Sequence, residues 1–244
     1  MLQKPARLLT LLLTILLRFF SPVNAQDSLP ESKHAAIVFP YPMYTEKWRS
    51  SIGITLLTTP EDITEEVRIR VPAIEYRVLR RISNHLIAEG RISAQVLQNQ
   101  LQLGVRYVVP LSDKLFLSAG NDVGYWFGFL KTEGFNSRGS GWLTYPNVSL
   151  GYRPGKDMLI TVRAQSSVNL GYTAYNGNEK TSEGKVFYNG ETFTIALEQP
   201  FYHHKHLTLA FSAINNYFYW QTWSLFYRVN RKIFYPQVTV AFIL

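Results

Sequence analysis

The sequence predicts an all-β fold: a single antiparallel transmembrane β-barrel of about ten strands, with twelve as the alternative count, behind a cleaved N-terminal signal peptide. Three observations predict it. Apolar and polar residues alternate at period two along nearly all of the chain from Trp48 to Leu244, as in strands whose two faces meet different surroundings. Aromatic residues make up 14% of the chain and gather toward the ends of those segments. The last twelve residues, IFYPQVTVAFIL from Ile233 to Leu244, form an apolar strand with no polar tail. Such a strand makes sense where it closes a barrel inside a membrane, because an unpaired edge is not tolerated there.

The first 25 residues stand apart. Lys4 and Arg7 form a basic start, Leu8 to Leu17 an apolar core, and Val23-Asn24-Ala25 a small-residue cleavage site, which reads as a secretory signal cut before Gln26. Gln follows the cut where a lipoprotein would have Cys, so no lipid anchor is expected. Removing Lys4, Arg7 and Arg18 lowers the basic residues from 25 to 22, against 17 acidic ones. That excess forms no run, which argues against nucleic-acid binding. The absence of cysteine excludes disulfides, thiol catalysis and Cys metal sites. After the signal no apolar stretch reaches 18 residues, which excludes helical membrane spans. Residues 26–47 read as a periplasmic lead-in and residues 48–244 as the barrel.

Ile52, Ile54 and Leu56 mark the first strand, ended by Thr59-Pro60-Glu61-Asp62. The second runs from Glu66 to Leu79. Val67, Ile69 and Val71 share one face before the parity shifts to Ile74, Tyr76 and Val78, and Pro72 at the shift predicts a bulge. The third sets Leu86, Ala88, Ile92, Ala94 and Val96 against Glu89, Arg91, Ser93 and Gln95. A turn at Gln98-Asn99 leads to the fourth, with Leu101, Leu103, Val105, Tyr107 and Val109 opposing Gln100, Gln102 and Arg106. The fifth runs from Leu115 to Phe129, its polar face carrying Ser118, Gly120, Asp122, Gly124 and Gly128. Polar Lys131–Gly141 reads as a loop before a sixth strand, Trp142–Arg153, and Pro154–Asp157 as a short turn. In the seventh, Met158, Ile160, Val162, Ala164, Val168 and Leu170 oppose Thr161, Arg163, Gln165, Ser167 and Asn169. A second polar loop covers Tyr172–Lys185. Phe193, Ile195 and Leu197 against Thr192, Thr194 and Glu198 make the eighth. Tyr202–Lys205 then turns the chain into a ninth from Leu207 to about Trp220, and a loop at Phe226–Arg231 precedes the closing strand.

Short turns alternating with longer loops, with an even strand number, are the pattern of a bacterial outer-membrane barrel. Two aromatic girdles fit the same location. Trp126, Phe129, Trp142, Tyr145, Tyr172, Tyr217, Tyr219, Trp220 and Trp223 are expected at the long-loop rim, and Tyr107, Tyr152, Phe201 and Tyr202 at the short-turn rim. Arg68, Arg70, Arg91, Arg106 and Arg163 must then face the lumen, because an arginine on the lipid face costs about 2–4 kcal/mol at the midplane. Glu75, Glu89, Asp122 and Glu198 share those faces and are the expected partners, giving a mixed-charge network that fills the lumen. Some ten strands enclose a space that side chains can fill, well short of an open porin. Gly120, Gly124 and Gly128, at spacing four on the lumen face, leave room either for a large neighbour such as a stack of arginines or for a small ligand cavity.

Few groups point to catalysis. His203, His204 and His206 flank Lys205 in a turn; neighbouring rings in a tight turn diverge and no carboxylate stands beside them in sequence, so neither a metal nor a cofactor is expected. His34 and His85 read as surface residues. The segments GWLTYPN at Gly141 to Asn147, LEQPFYHHKHLTLAF at Leu197 to Phe211 and FYWQTWSLF at Phe218 to Phe226 resemble a family of small bacterial outer-membrane β-barrel proteins of unknown function. The resemblance implies the barrel and its location, and brings no catalytic residues. The expected role is non-enzymatic, structural or surface-interacting, with a narrow channel for small solutes or apolar ligands as the alternative and a lipid-modifying enzyme behind both. The expected surroundings are outer-membrane lipid and lipopolysaccharide, with the barrel-assembly machinery during biogenesis.

Overall fold

A computed structural model describes residues 48–58, 70–96, 98–132, 135–154, 158–201, 206–217 and 232–244. The expected signal peptide, the lead-in, Arg68, His203 and His204 lie outside the described residues. Eleven strands form: β1 (Trp48–Thr58), β2 (Arg70–Arg81), β3 (Leu86–Ala94), β4 (Gln98–Pro110), β5 (Leu115–Thr132), β6 (Phe135–Tyr152), β7 (Leu159–Asn176), β8 (Glu179–Gly184), β9 (Phe187–Pro200), β10 (His206–Asn216) and β11 (Ile233–Ile243). All pairings are antiparallel. The barrel closes where β1 meets β11, with Ile52 opposite Phe242 and Ile54 opposite Val240. β9 lies along Leu159–Asn169 of β7 and β8 along Tyr172–Asn176, so β8 extends the line of β9 and the closed wall has ten strands. This is the predicted all-β barrel.

The alternation decides which side faces out. Ile54, Leu103, Val105, Ile195 and Phe211 are exposed, while Thr55, Glu75, Arg106, Asp122 and Thr208 are buried. Apolar outside and polar inside inverts the arrangement of a soluble protein, and it fits a wall whose solvent is lipid. Rings stand at both ends of the apolar band. Tyr125 lies 4.9 Å from Trp142 and 6.1 Å from Phe127 at one end. At the other, Phe201 lies 5.8 Å from Phe242, and Tyr107 and Tyr152 are exposed. The apolar outer wall and the rings at both of its ends are those of a membrane-spanning β-barrel.

Four expectations change. The stretches Lys131–Gly141 and Tyr172–Lys185 are not loops: β5 and β6 pair through Thr132↔Phe135, and β7 turns into β8 through Gly177-Asn178. Gly177 takes the left-handed φ of +57° that a two-residue hairpin turn requires. Small and polar residues dominate both faces there, so the strands carry little hydropathy contrast. The bulge at Pro72 is absent, with β1–β2 register running straight through Leu56↔Pro72. Pairing with β3 begins only at Ile74, so the missing N–H of proline breaks no ladder on that side. Without the bulge, Arg70 keeps the parity of Pro72 and Ile74 and lies exposed on the outer face, not in the lumen. Trp126, Tyr145 and Tyr172 leave the expected girdle. They turn inward, and Tyr145 and Tyr172 pack against a cluster of Trp126, Leu143 and Ala174.

The lumen is layered. At the short-turn end Leu79, Ile87, Val108, Phe116 and Leu159 form an apolar cluster, with Ala196, Ala210, Ala241 and Ile243 across from it. Toward the hairpin end the Trp126 cluster faces another of Leu57, Ile214, Ile233 and Tyr235. Charges occupy the level between.

Candidate functional site

The middle level is a belt of polar side chains that passes from strand to strand. Its first link crosses the closing seam, where the hydroxyls of Thr55 and Thr239 are 2.8 Å apart. Thr55 donates to Glu75 at 2.9 Å. Glu75 meets Arg77 at 3.5 Å and is paired with Arg91 of β3. Arg77 reaches Glu89 at 3.6 Å, and Glu89 is paired with Arg106 of β4. Arg106 donates to both oxygens of Asp122 on β5, at 3.2 and 3.1 Å, and to Asn147 of β6 at 3.3 Å. Asp122 also accepts from Asn147 at 3.2 Å and from Arg163 of β7 at 2.8 Å. On the remaining wall Thr194 of β9 and Ser212 of β10 lie 2.8 Å apart.

Every strand of the closed wall thus sends a polar side chain to this level. Alternation places the side chains at one level, and period two selects polar residues for the inward face. The arginines need this company, because a buried charge is tolerated only when it is paired and hydrogen-bonded. Two glycines make the space. A Cβ on Gly120 would lie 2.6 Å from Arg106 Cγ, and one on Gly124 would lie 3.1 Å from the ring of Tyr145. The Tyr145 hydroxyl accepts from Gln100 at 2.6 Å.

Of the residues singled out in the sequence, Glu75, Glu89, Arg91, Arg106, Asp122 and Arg163 meet in this belt. Arg70 is outside the barrel. Glu198 is buried but lies elsewhere, at the short-turn end, with an oxygen 3.6 Å from His206 Nδ1. That corrects the expectation that no carboxylate stands beside the histidine turn. Arg77 belongs to the belt and was missed. Its signal was present, since it follows Glu75 by two and so shares its face.

The belt borders a lumen cavity of about 140 Å³, lined by its own Glu75, Arg77, Arg91 and Arg163 and, toward the hairpins, by Gln100 and Tyr145. The hairpins β5–β6 and β7–β8 rise past it. On the second, Lys180 donates to Glu183 and holds that carboxyl below its ordinary range. Among the described residues no three of His, Asp and Glu gather to hold a metal. His85 Nδ1 lies 3.0 Å from the Val108 carbonyl oxygen, to which it donates, and the ring stacks on Tyr107, also at the short-turn end.

No protein-family model matches the chain, and no curated protein does. Solved structures similar to it include the translocator domain of the autotransporter NalP from Neisseria meningitidis (9% identity, 82% of this chain and 88% of that one, TM-score 0.47). The outer membrane protease OmpT from Escherichia coli (9%, 80% and 94%, 0.42) and Neisserial surface protein A (7%, 81% and 96%, 0.38) are similar too. A translocator, a protease and a surface protein share no activity, and none is carried over to this chain.

Proposed function

We propose that this protein is a non-conducting, non-enzymatic outer-membrane barrel whose lumen is closed by its own side chains and whose projecting hairpins meet a partner outside the cell. The observation that supports this reading is the belt: Arg77, Arg91, Arg106 and Arg163 interlock with Glu75, Glu89 and Asp122 across the middle of the lumen. A ten-stranded lumen is small enough for side chains to fill. The carboxylates of the belt serve arginines, and the two described histidines lie at the end away from the hairpins. The polar hairpins would stand among lipopolysaccharide headgroups.

Planar-bilayer recording tests the reading. The native barrel is expected to show no steady single-channel conductance. Regular, long-lived steps from native protein would overturn it and favour the narrow channel, with the cavity of about 140 Å³ as its mouth.

A further inference from the structure

The belt presents its charge unevenly to the lumen. Among the described residues, the cavity of about 140 Å³ is bordered by three arginines, Arg77, Arg91 and Arg163, and by one carboxylate, Glu75. Glu89 and Asp122, which pair with Arg77, Arg106 and Arg163, do not line it. The belt as a whole sets four arginines against three carboxylates. One surplus positive charge therefore stands at the cavity, where low-dielectric walls focus its field.

Arg163 is the arginine with hydrogen-bonding capacity to spare. It is 7% exposed, and its guanidinium donates from Nη2 to Asp122 at 2.8 Å. Its Nε is buried with no hydrogen-bond partner, and Nη1 has none among the described residues. A guanidinium carries more donors than this contact uses, and a buried charge is tolerated when it is fully hydrogen-bonded. Two residues on, Gln165 shares the inward face of β7 and stands opposite Thr192 of β9. Both are half-buried and border the cavity. Arg91 differs, because its Nη1 and Nη2 are taken by Gln102 and Glu75.

We propose that the cavity is a binding site for a small monocarboxylate. The carboxylate accepts from Arg163 Nη1, a charge-assisted contact of the kind arginine makes best, and Gln165 and Thr192 donate to it from the adjoining wall. Arg91 adds attraction without a direct bond. A single negative charge matches the single surplus positive one, whereas a dianion would leave an excess of its own. At about 140 Å³ the space falls below the range of about 300–1,000 Å³ that takes drug-sized ligands, so the ligand has few atoms beyond its carboxylate. The site needs neither a passage through the belt nor a partner at the hairpins, and so goes beyond the surface role proposed above.

Equilibrium dialysis of the full chain in detergent micelles against radiolabelled acetate, at constant ionic strength, tests the site. The native barrel is expected to take up one acetate per chain, saturably. R163Q should weaken uptake by about tenfold or more, the loss of one charge-assisted hydrogen bond. Q165L leaves every contact of the belt in place and should also weaken uptake while keeping the heat-dependent gel mobility of the native chain, so it reads the site even where R163Q does not fold. Absent or non-saturating uptake, chloride competing on equal terms with acetate, or native affinity in either folded variant would overturn the proposal.

Discussion

At the scale of single residues, Asp122 holds the centre of the lumen. It accepts from Arg106, Asn147 and Arg163 on three different strands. Replacing it with Ala leaves two buried guanidiniums short of a carboxylate, and removal of one partner from a buried pair costs about 3–5 kcal/mol. D122A is expected to lose that much in urea unfolding followed by tryptophan fluorescence, with D122N losing less because the hydrogen-bond acceptor survives. A loss below about 1 kcal/mol, the range of an exposed ion pair, would show that the belt is not closed to water. Gly120 gives a steric counterpart. A Cβ there would stand 2.5 Å from the Val105 carbonyl oxygen and 2.6 Å from Arg106 Cγ, and the carbonyl cannot move aside. G120A is expected to cost about 1–3 kcal/mol, the usual range for overpacking. These inward partnerships were partly legible in the sequence. Period two placed Glu75, Glu89, Arg91, Arg106, Asp122 and Arg163 on inward faces, and Gly120 marked the room. Pairings between strands were not legible, because they depend on register, and register is set by turns whose lengths the sequence leaves open.

At the scale of elements, the closing seam is the most exacting contact. A Cβ on Gly53 of β1 would lie 2.7 Å from both Ala241 Cβ and the Val240 carbonyl oxygen of β11. G53V is expected to hinder closure and to raise the proportion of unfolded band on an unheated gel. Gly90 is the control: its nearest neighbours would be 3.5 and 3.7 Å away, so G90A should fold as the native chain does. The elements themselves divide by environment. Where one face meets lipid and the other the lumen, as in β3, β4 and the lower part of β7, hydropathy alternates and the sequence shows the strand. Where both faces leave the membrane, as in Ser137–Gly141 and Glu179–Gly184, the same pleat carries only small and polar residues and reads as loop. Pro72 misled in the opposite direction. It sits where β2 has a partner on one side only, so a residue that ordinarily demands a bulge is accommodated without one, and Arg70 stays outside.

At the scale of the whole molecule, the barrel is a membrane wall around a layered plug: apolar near the short turns, charged at the middle, and apolar with a polar cavity toward the hairpins. The outward side meets lipid, and that makes a prediction a soluble barrel would not share. Leu103 is 74% exposed on β4. L103R is expected to cost about 2–4 kcal/mol in bilayers, whereas on a water-facing surface the same change is usually within about 0.5 kcal/mol. The measurement that bears most directly on the closed membrane barrel is fractionation of cells followed by gel electrophoresis with and without boiling. A band in the outer-membrane fraction that runs at a different position unheated, and shifts on boiling, is the expected result. A soluble protein whose mobility ignores heat would contradict it, and would turn the apolar rows from a lipid-facing surface into a core.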